Sequence, residues 1–259
     1  MFYTQIQNII SSQDLIWYFV KSDIKSTYEQ KLLGFIWILL EPLLLMAVYT
    51  LLVVVFLDRG GPQYPALLFS ALLSWQWYTY SLSSAVTSIS AQGSIIQTAS
   101  FPKIVLPLSR VFVGSYNYMA GILVLLPVAW VFNANFGPNL IWLPGIVIIQ
   151  MLFTTAICVL FSTIGVFLSD LENITSFMLR LWFYMSPGLY NVADVIPNRF
   201  TIIYMLNPIA PLFVSYKNVI VRGQAPTRYL FVTLAISLVL LLVSLQIFDS
   251  EESEFAKLV

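Results

Sequence analysis

Long apolar runs separated by short polar connections dominate this chain. Six stretches, at 33–57, 64–90, 104–132, 140–168, 174–190 and 229–248, are read as membrane-crossing helices, the fifth of them short. A helix rises about 1.5 Å per residue, so about 20 apolar residues cross the hydrocarbon of a bilayer. The connections carry residues that end helices: Asp58-Arg59-Gly60-Gly61-Pro62, Asn133-Ala134-Asn135-Phe136-Gly137-Pro138 and Ser169-Asp170-Leu171-Glu172-Asn173. Between 191 and 228 the pattern is broken by Pro197, Asn207-Pro208, Pro211, Lys217, Arg222 and Pro226. Two re-entrant half-helices fit that stretch, because irregular backbone at membrane depth must be shielded by protein or water. A seventh full span is the alternative, and it moves the C-terminus to the other side.

The segment before the first span differs. Asp14, Lys21, Asp23, Lys25, Glu29 and Lys31 interrupt residues 12–31, while Ile16, Val20, Ile24 and Tyr28 repeat every four residues with Trp17 and Phe19 beside them. This is an amphipathic helix, opened by a capping box of Ser11 and Asp14. Such a helix lies in the headgroup layer, or else packs on a soluble partner. The expected organisation is therefore an interface helix at 1–32, a transmembrane domain at 33–248 and a short tail at 249–259. The fold class is all-α: six transmembrane helices preceded by an amphipathic interfacial helix, with re-entrant half-helices before the last span.

Composition narrows the function. Hydrophobic residues make up 59% of the 259 and charged residues 9%, and the mean hydropathy is +0.86, which excludes an ordinary soluble domain. Twelve basic and twelve acidic residues cancel, leaving no net field to collect nucleic acid. The N-terminus lacks the basic start and cleavage site of a secretory signal. Cys158 stands alone, so no intrachain disulfide forms, and histidine is absent, which removes Ser/His/Asp chemistry and His-ligated zinc. The glycines never form GxxxxGK[ST], so this chain holds no P-loop. No cofactor or metal is expected on it, and nucleotide-driven work needs a partner. Basic residues fall on both sides of the expected spans, so charge counting barely sets the orientation.

The loop between the second and third expected spans, from Gln92 through Phe101-Pro102-Lys103 to Leu108, has room for a helical turn or two. It serves either as a lever for an external partner or as a simple reversal. Five motifs stand in order: Leu33-Gly34-x-x-Trp37 with Glu41-Pro42, Phe101-Pro102-x-x-x-Leu106-Pro107-Leu108, Ser186-Pro187-x-x-Tyr190, Asn207-Pro208 and Glu254-Phe255-Ala256-Lys257. From about Asp14 to the C-terminus this set resembles the permease subunits of ABC-2 type exporters, above all those of lipid-linked O-antigen polysaccharides and wall teichoic acids. One departure is clear: that family usually shows Arg-Asp after the fourth span, where this chain has Ser169-Asp170.

The resemblance implies a homodimer with two copies of a separate ATPase that holds ATP and magnesium. It makes the loop after span two a coupling helix at about 93–103, with Ser94, Gln97, Ser100, Phe101, Pro102 and Lys103 contacting the ATPase. It also implies a bacterial plasma membrane protein with a cytoplasmic N-terminus, exporting an undecaprenyl-diphosphate-linked glycopolymer between two protomers. An ion-coupled carrier and a membrane-embedded lipid-processing enzyme are the alternatives. The first calls for inverted repeats, and the second for a clustered acid/base or metal set.

Candidate path residues follow. Trp37, Trp77 and Tyr184 belong to aromatic groups over which sugar rings slide, or to the ordinary interfacial belt of Trp and Tyr. Glu41-Pro42 puts a carboxylate and a missing amide inside the first span, about 12 Å from its Leu33 end. Arg110 and Arg180 lie about 9 Å into their own spans. Either one of these arginines offsets Glu41 near the inner mouth, where a diphosphate headgroup competes for it, or both snorkel to the surface while Glu41 hydrogen-bonds within the bundle.

Overall fold

The computed structural model describes residues 11–28, 34 and 36–258. The expected first residue of span one, Leu33, and Glu29 and Lys31 of the first helix lie outside them. The described residues are helical throughout their regular structure: α1 (Gln13–Tyr28), α2 (Ile36–Thr50), α3 (Tyr64–Val86), α4 (Gly93–Thr98), α5 (Val105–Val131), α6 (Leu143–Phe167), α7 (Leu171–Met185), α8 (Val192–Val195), α9 (Thr201–Tyr204), α10 (Ile209–Tyr216) and α11 (Leu230–Leu258). Among them, four helices are long and apolar enough to cross a membrane: Ile36–Phe56, Val105–Val131, Pro138–Phe167 and Leu230–Leu258.

Two of the expected spans, α3 and α7, are not among those four, for different reasons. α3 has the length but is rich in serine and aromatic residues, and nearly all of it is buried at the centre of the bundle. α7 has 15 residues, about 22 Å of rise. It ends where Ser186 turns extended (ψ 153), because Pro187 disfavours a helical residue before it.

α3 packs along α5, and α6 along both α3 and α11. Small residues allow these approaches: a Cβ on Gly121 of α5 would sit 2.6 Å from Leu73 Cδ2, and one on Gly165 of α6 would strike the Val86 carbonyl. A reciprocal pair ties α3 to α6, with Ser74 Oγ donating to Gln150 Oε1 (2.8 Å) and Gln150 Nε2 to the Ser74 carbonyl (2.8 Å).

α2 is the loosest span. It carries Pro42 within its length, continues as a π-helix over Leu51–Phe56, and only 6% of its most apolar window is buried. The missing amide of proline and the wider π turn both relax the hydrogen-bond ladder. The chain then reverses through Asp58 (φ 50), Gly60 (φ 96) and Gly61 (φ 67), where glycine meets the left-handed backbone without strain.

The stretch at 191–228 forms only short helices: α8, the 3-10 turn Asn198–Phe200, α9, and α10 extended by the π-helix Lys217–Arg222. Beyond it, α11 does not stop at 248. Phe255 is fully buried and packs edge-on to Phe248 (5.3 Å), so the expected tail forms the last turns of the same helix.

Candidate functional site: a polar groove along α3 and an exposed knob at α4

Along α3, Gln76, Thr79, Tyr80, Ser83 and Ser84 follow the helical repeat i, i+3, i+4, i+7, i+8, so they share one face. That face lines a cavity of about 430 Å³, closed by Ile38, Glu41 and Leu45 of α2 and by Asn117 and Tyr118 of α5. A neighbouring cavity of about 340 Å³ shares Gln76, Thr79 and Ser83 and is completed by Tyr49 of α2 and by Ser176, Arg180 and Tyr184 of α7. The two adjoin along this face of α3, with Glu41 lining the first and Arg180 the second, and are together called the groove. Thr79 and Asn117, both lining the first cavity, each hold a buried side-chain oxygen without a hydrogen-bond partner among the described residues. Hydroxyls and amides beside Trp75, Trp77 and Tyr118 suit a hydroxylated ring compound, which stacks on aromatic faces and exchanges hydrogen bonds at its edges.

Of the path residues expected from the sequence, Glu41, Trp77, Arg180 and Tyr184 line this groove. Trp77 is otherwise a packing residue: 1% exposed, it stacks on Tyr118 (5.1 Å between centroids) and donates its indole N–H to the Val111 carbonyl (3.2 Å). Tyr184 is 58% exposed. Trp37, in the first turn of α2, lines neither cavity.

Arg110 lies elsewhere. Its guanidinium pairs with Asp23 of α1, and Tyr80 donates its hydroxyl to the other oxygen of that carboxylate (3.3 Å). Neither Arg110 nor Arg180 forms an ion pair with Glu41 among the described residues. Asp23 therefore fastens α1 to both α3 and α5. It falls three residues after Val20 and seven after Ile16, on the otherwise apolar stripe of α1, and that placement was its signal in the sequence. The groove stripe of α3 had a similar signal, polar residues at helical spacing inside an apolar run.

At the far end of α3, the chain turns through α4. Ser94, Gln97 and Ser100 are exposed, and Ile96 anchors the short helix from beneath. Phe101, Pro102 and Lys103 are half-buried where α4 returns to α5. Phe101 meets Phe19 of α1 (6.3 Å between ring centroids), and the Lys103 amide donates to Glu252 Oε1 of α11 (2.9 Å). One apolar cluster holds Ile16 and Val20 of α1, Ile96 of α4, the start of α5 and Phe255 of α11. The apolar face of α1 is thus taken up by the chain's own helices, and Lys21 and Lys25 face outward. α4 stands on this base as an exposed knob.

Residues 14–221 match the ABC-2 type transporter family. The chain is 32% identical over 248 residues to an O-antigen export system permease protein RfbA of Klebsiella pneumoniae, covering 95% of each chain. It is 30% identical over 254 residues to an O-antigen export system permease protein RfbA of Myxococcus xanthus, covering 97% of this chain and 98% of that one.

Proposed function

The chain belongs to the ABC-2 type transporter family, and from that premise we propose that it is the permease subunit of an ATP-driven exporter of a lipid-linked cell-envelope glycopolymer. The near full-length likeness to O-antigen export permeases carries this reading. The hydroxyl-rich, aromatic groove along α3 supports it. An O-antigen-type polysaccharide carried on undecaprenyl diphosphate is the first substrate candidate, and wall teichoic acid the second.

In this reading the protein sits in the bacterial plasma membrane with its N-terminus cytoplasmic. α2, α3, α5, α6, α7 and α11 are the six spans, and the short helices at 191–228 enter the membrane and return. Two copies assemble with two copies of an ATPase, which supplies the hydrolysis. α4 and the turn after it, Ser94 through Lys103, seat in that ATPase. The shared base beneath α4 passes its movement to α1, α5 and α11. Arg110 is engaged by Asp23, so Arg180 is the arginine available to offset Glu41 across the groove, and a diphosphate headgroup competes for it there.

The test is a gene deletion complemented with the permease and its ATPase. Surface polymer is expected to vanish on deletion, with lipid-linked polymer accumulating inside, and to return on complementation. Disruption of Phe101-Pro102-Lys103 is expected to abolish co-purification with the ATPase. Normal surface polymer in the deletion strain sinks the export reading, and intact co-purification removes the coupling role of α4.

A further inference from the structure

Lys217 opens the π-helix after α10 and is 3% exposed. Its ammonium donates to the carbonyls of Pro187, Gly188 (2.9 Å) and Tyr190 (3.1 Å), which uses all three of its donors. The carbonyl between them, Leu189, accepts from the Tyr64 hydroxyl (3.0 Å). Four consecutive carbonyls of one turn are thus held from outside it. Gly188 lies close against the core, since a Cβ there would meet the Phe183 ring at 2.8 Å.

The surrounding charges do not neutralise this ammonium. Arg222 is bound to Asn191 Oδ1 (2.6 Å) and Asn218 Oδ1 (3.1 Å), and Asp194 accepts from Asn191 Nδ2 (3.0 Å). No carboxylate pairs with Lys217 among the described residues. Its charge is balanced by carbonyl dipoles, as a bound monovalent cation would be.

The turn also borders two cavities. One, of about 680 Å³, is also lined by Leu52 and Arg59, beyond the end of α2, and by Leu67 of α3. The other, of about 290 Å³, is also lined by Val214, Asn218 and Gln224. Tyr190, Asn191, Asp194 and Lys217 line both.

We propose that Lys217 is a positioning residue, a built-in cation whose carbonyl cage pins the 187–190 turn as the partition between these two cavities. Release of the pin joins them into one passage at the end of the bundle opposite α4. The pinning stands on geometry alone, whereas its use in polymer passage rests on the export reading.

Cys158 is the only cysteine and is fully buried, so Leu189→Cys reports on the turn against a quiet background. The experiment measures labelling of Leu189→Cys by a soluble maleimide in the purified permease–ATPase complex. Adding Lys217→Met is expected to speed labelling about tenfold or more. Lys217→Gln, which keeps two donors, is expected to give a smaller acceleration and carries the test if the methionine variant does not fold. In Lys217→Ala, methylammonium is expected to restore slow labelling, whereas tetramethylammonium, which has no N–H, is expected to leave it fast. Equal labelling with and without Lys217 in a folded variant, or equal slowing by both amines, overturns the pin. Unchanged polymer export in a variant whose labelling is accelerated overturns the passage role and leaves the pin standing. Absence of export in the unmodified complex counts against the export reading alone.

Discussion

Glu41 and Lys217 are both charged residues in a chain that has few, and the fold treats them in opposite ways. Glu41 lies on the exposed side of a span of which only 6% of the apolar window is buried, and no arginine pairs with it among the described residues. Lys217 is 3% exposed, with every donor used. A charge in an apolar setting is costly unless it is compensated. The lysine is compensated within this chain and so contributes to architecture. The glutamate has no ion-pair partner among the described residues, and in the proposed reading its compensation comes from whatever enters or flanks the groove. Asp23 stands between the two: paired with Arg110 and Tyr80, but with its side chain still 18% exposed.

This ordering predicts graded effects. Lys217→Met strands three buried carbonyls and is expected to cost about 3 kcal/mol or more, read as a lowered melting temperature in detergent. A variant that melts like the parent puts Lys217 in the same class as Glu41 and removes the contrast. Asp23→Asn weakens a half-buried charge-assisted contact and is expected to cost about 2 kcal/mol. The exchange Asp23→Arg with Arg110→Asp should recover part of that stability, and no recovery means α1 is held by its apolar face alone. Glu41→Gln and Arg180→Gln are expected to change stability by about 0.5 kcal/mol or less, while lowering polymer export and polymer-dependent ATP hydrolysis. If both variants keep transport and coupling intact, the groove charges are not a gate.

The helices were legible because each has a local cause. The apolar runs, the glycines at 60 and 61 and the Asn133 to Pro138 break mark helix ends that depend on neighbours in sequence. Tertiary contact carried one helix beyond its local apolar pattern. The polar stretch after 248 reads as a tail, yet Phe255 finds a buried site beside Phe248 and keeps α11 helical. The groove was legible in part. Glu41 announced itself by a charge inside an apolar run, but Gln76, Thr79 and Ser83 look like dilution of a span until α3 is seen to be central, with only that face left open.

The sequence by itself determined that this is an all-helical membrane protein without histidine chemistry or a P-loop, because hydropathy, composition and motif are properties of the chain before it folds. It also determined family membership, since the match runs along nearly the whole length. Only the tertiary structure decided the partners of the charged residues. Arg110 belongs to Asp23, 87 positions earlier in the numbering, and Lys217 to carbonyls about 30 residues before it. Those choices depend on how helices rotate and cross, and helix rotation is fixed by packing rather than by the local pattern that makes each helix.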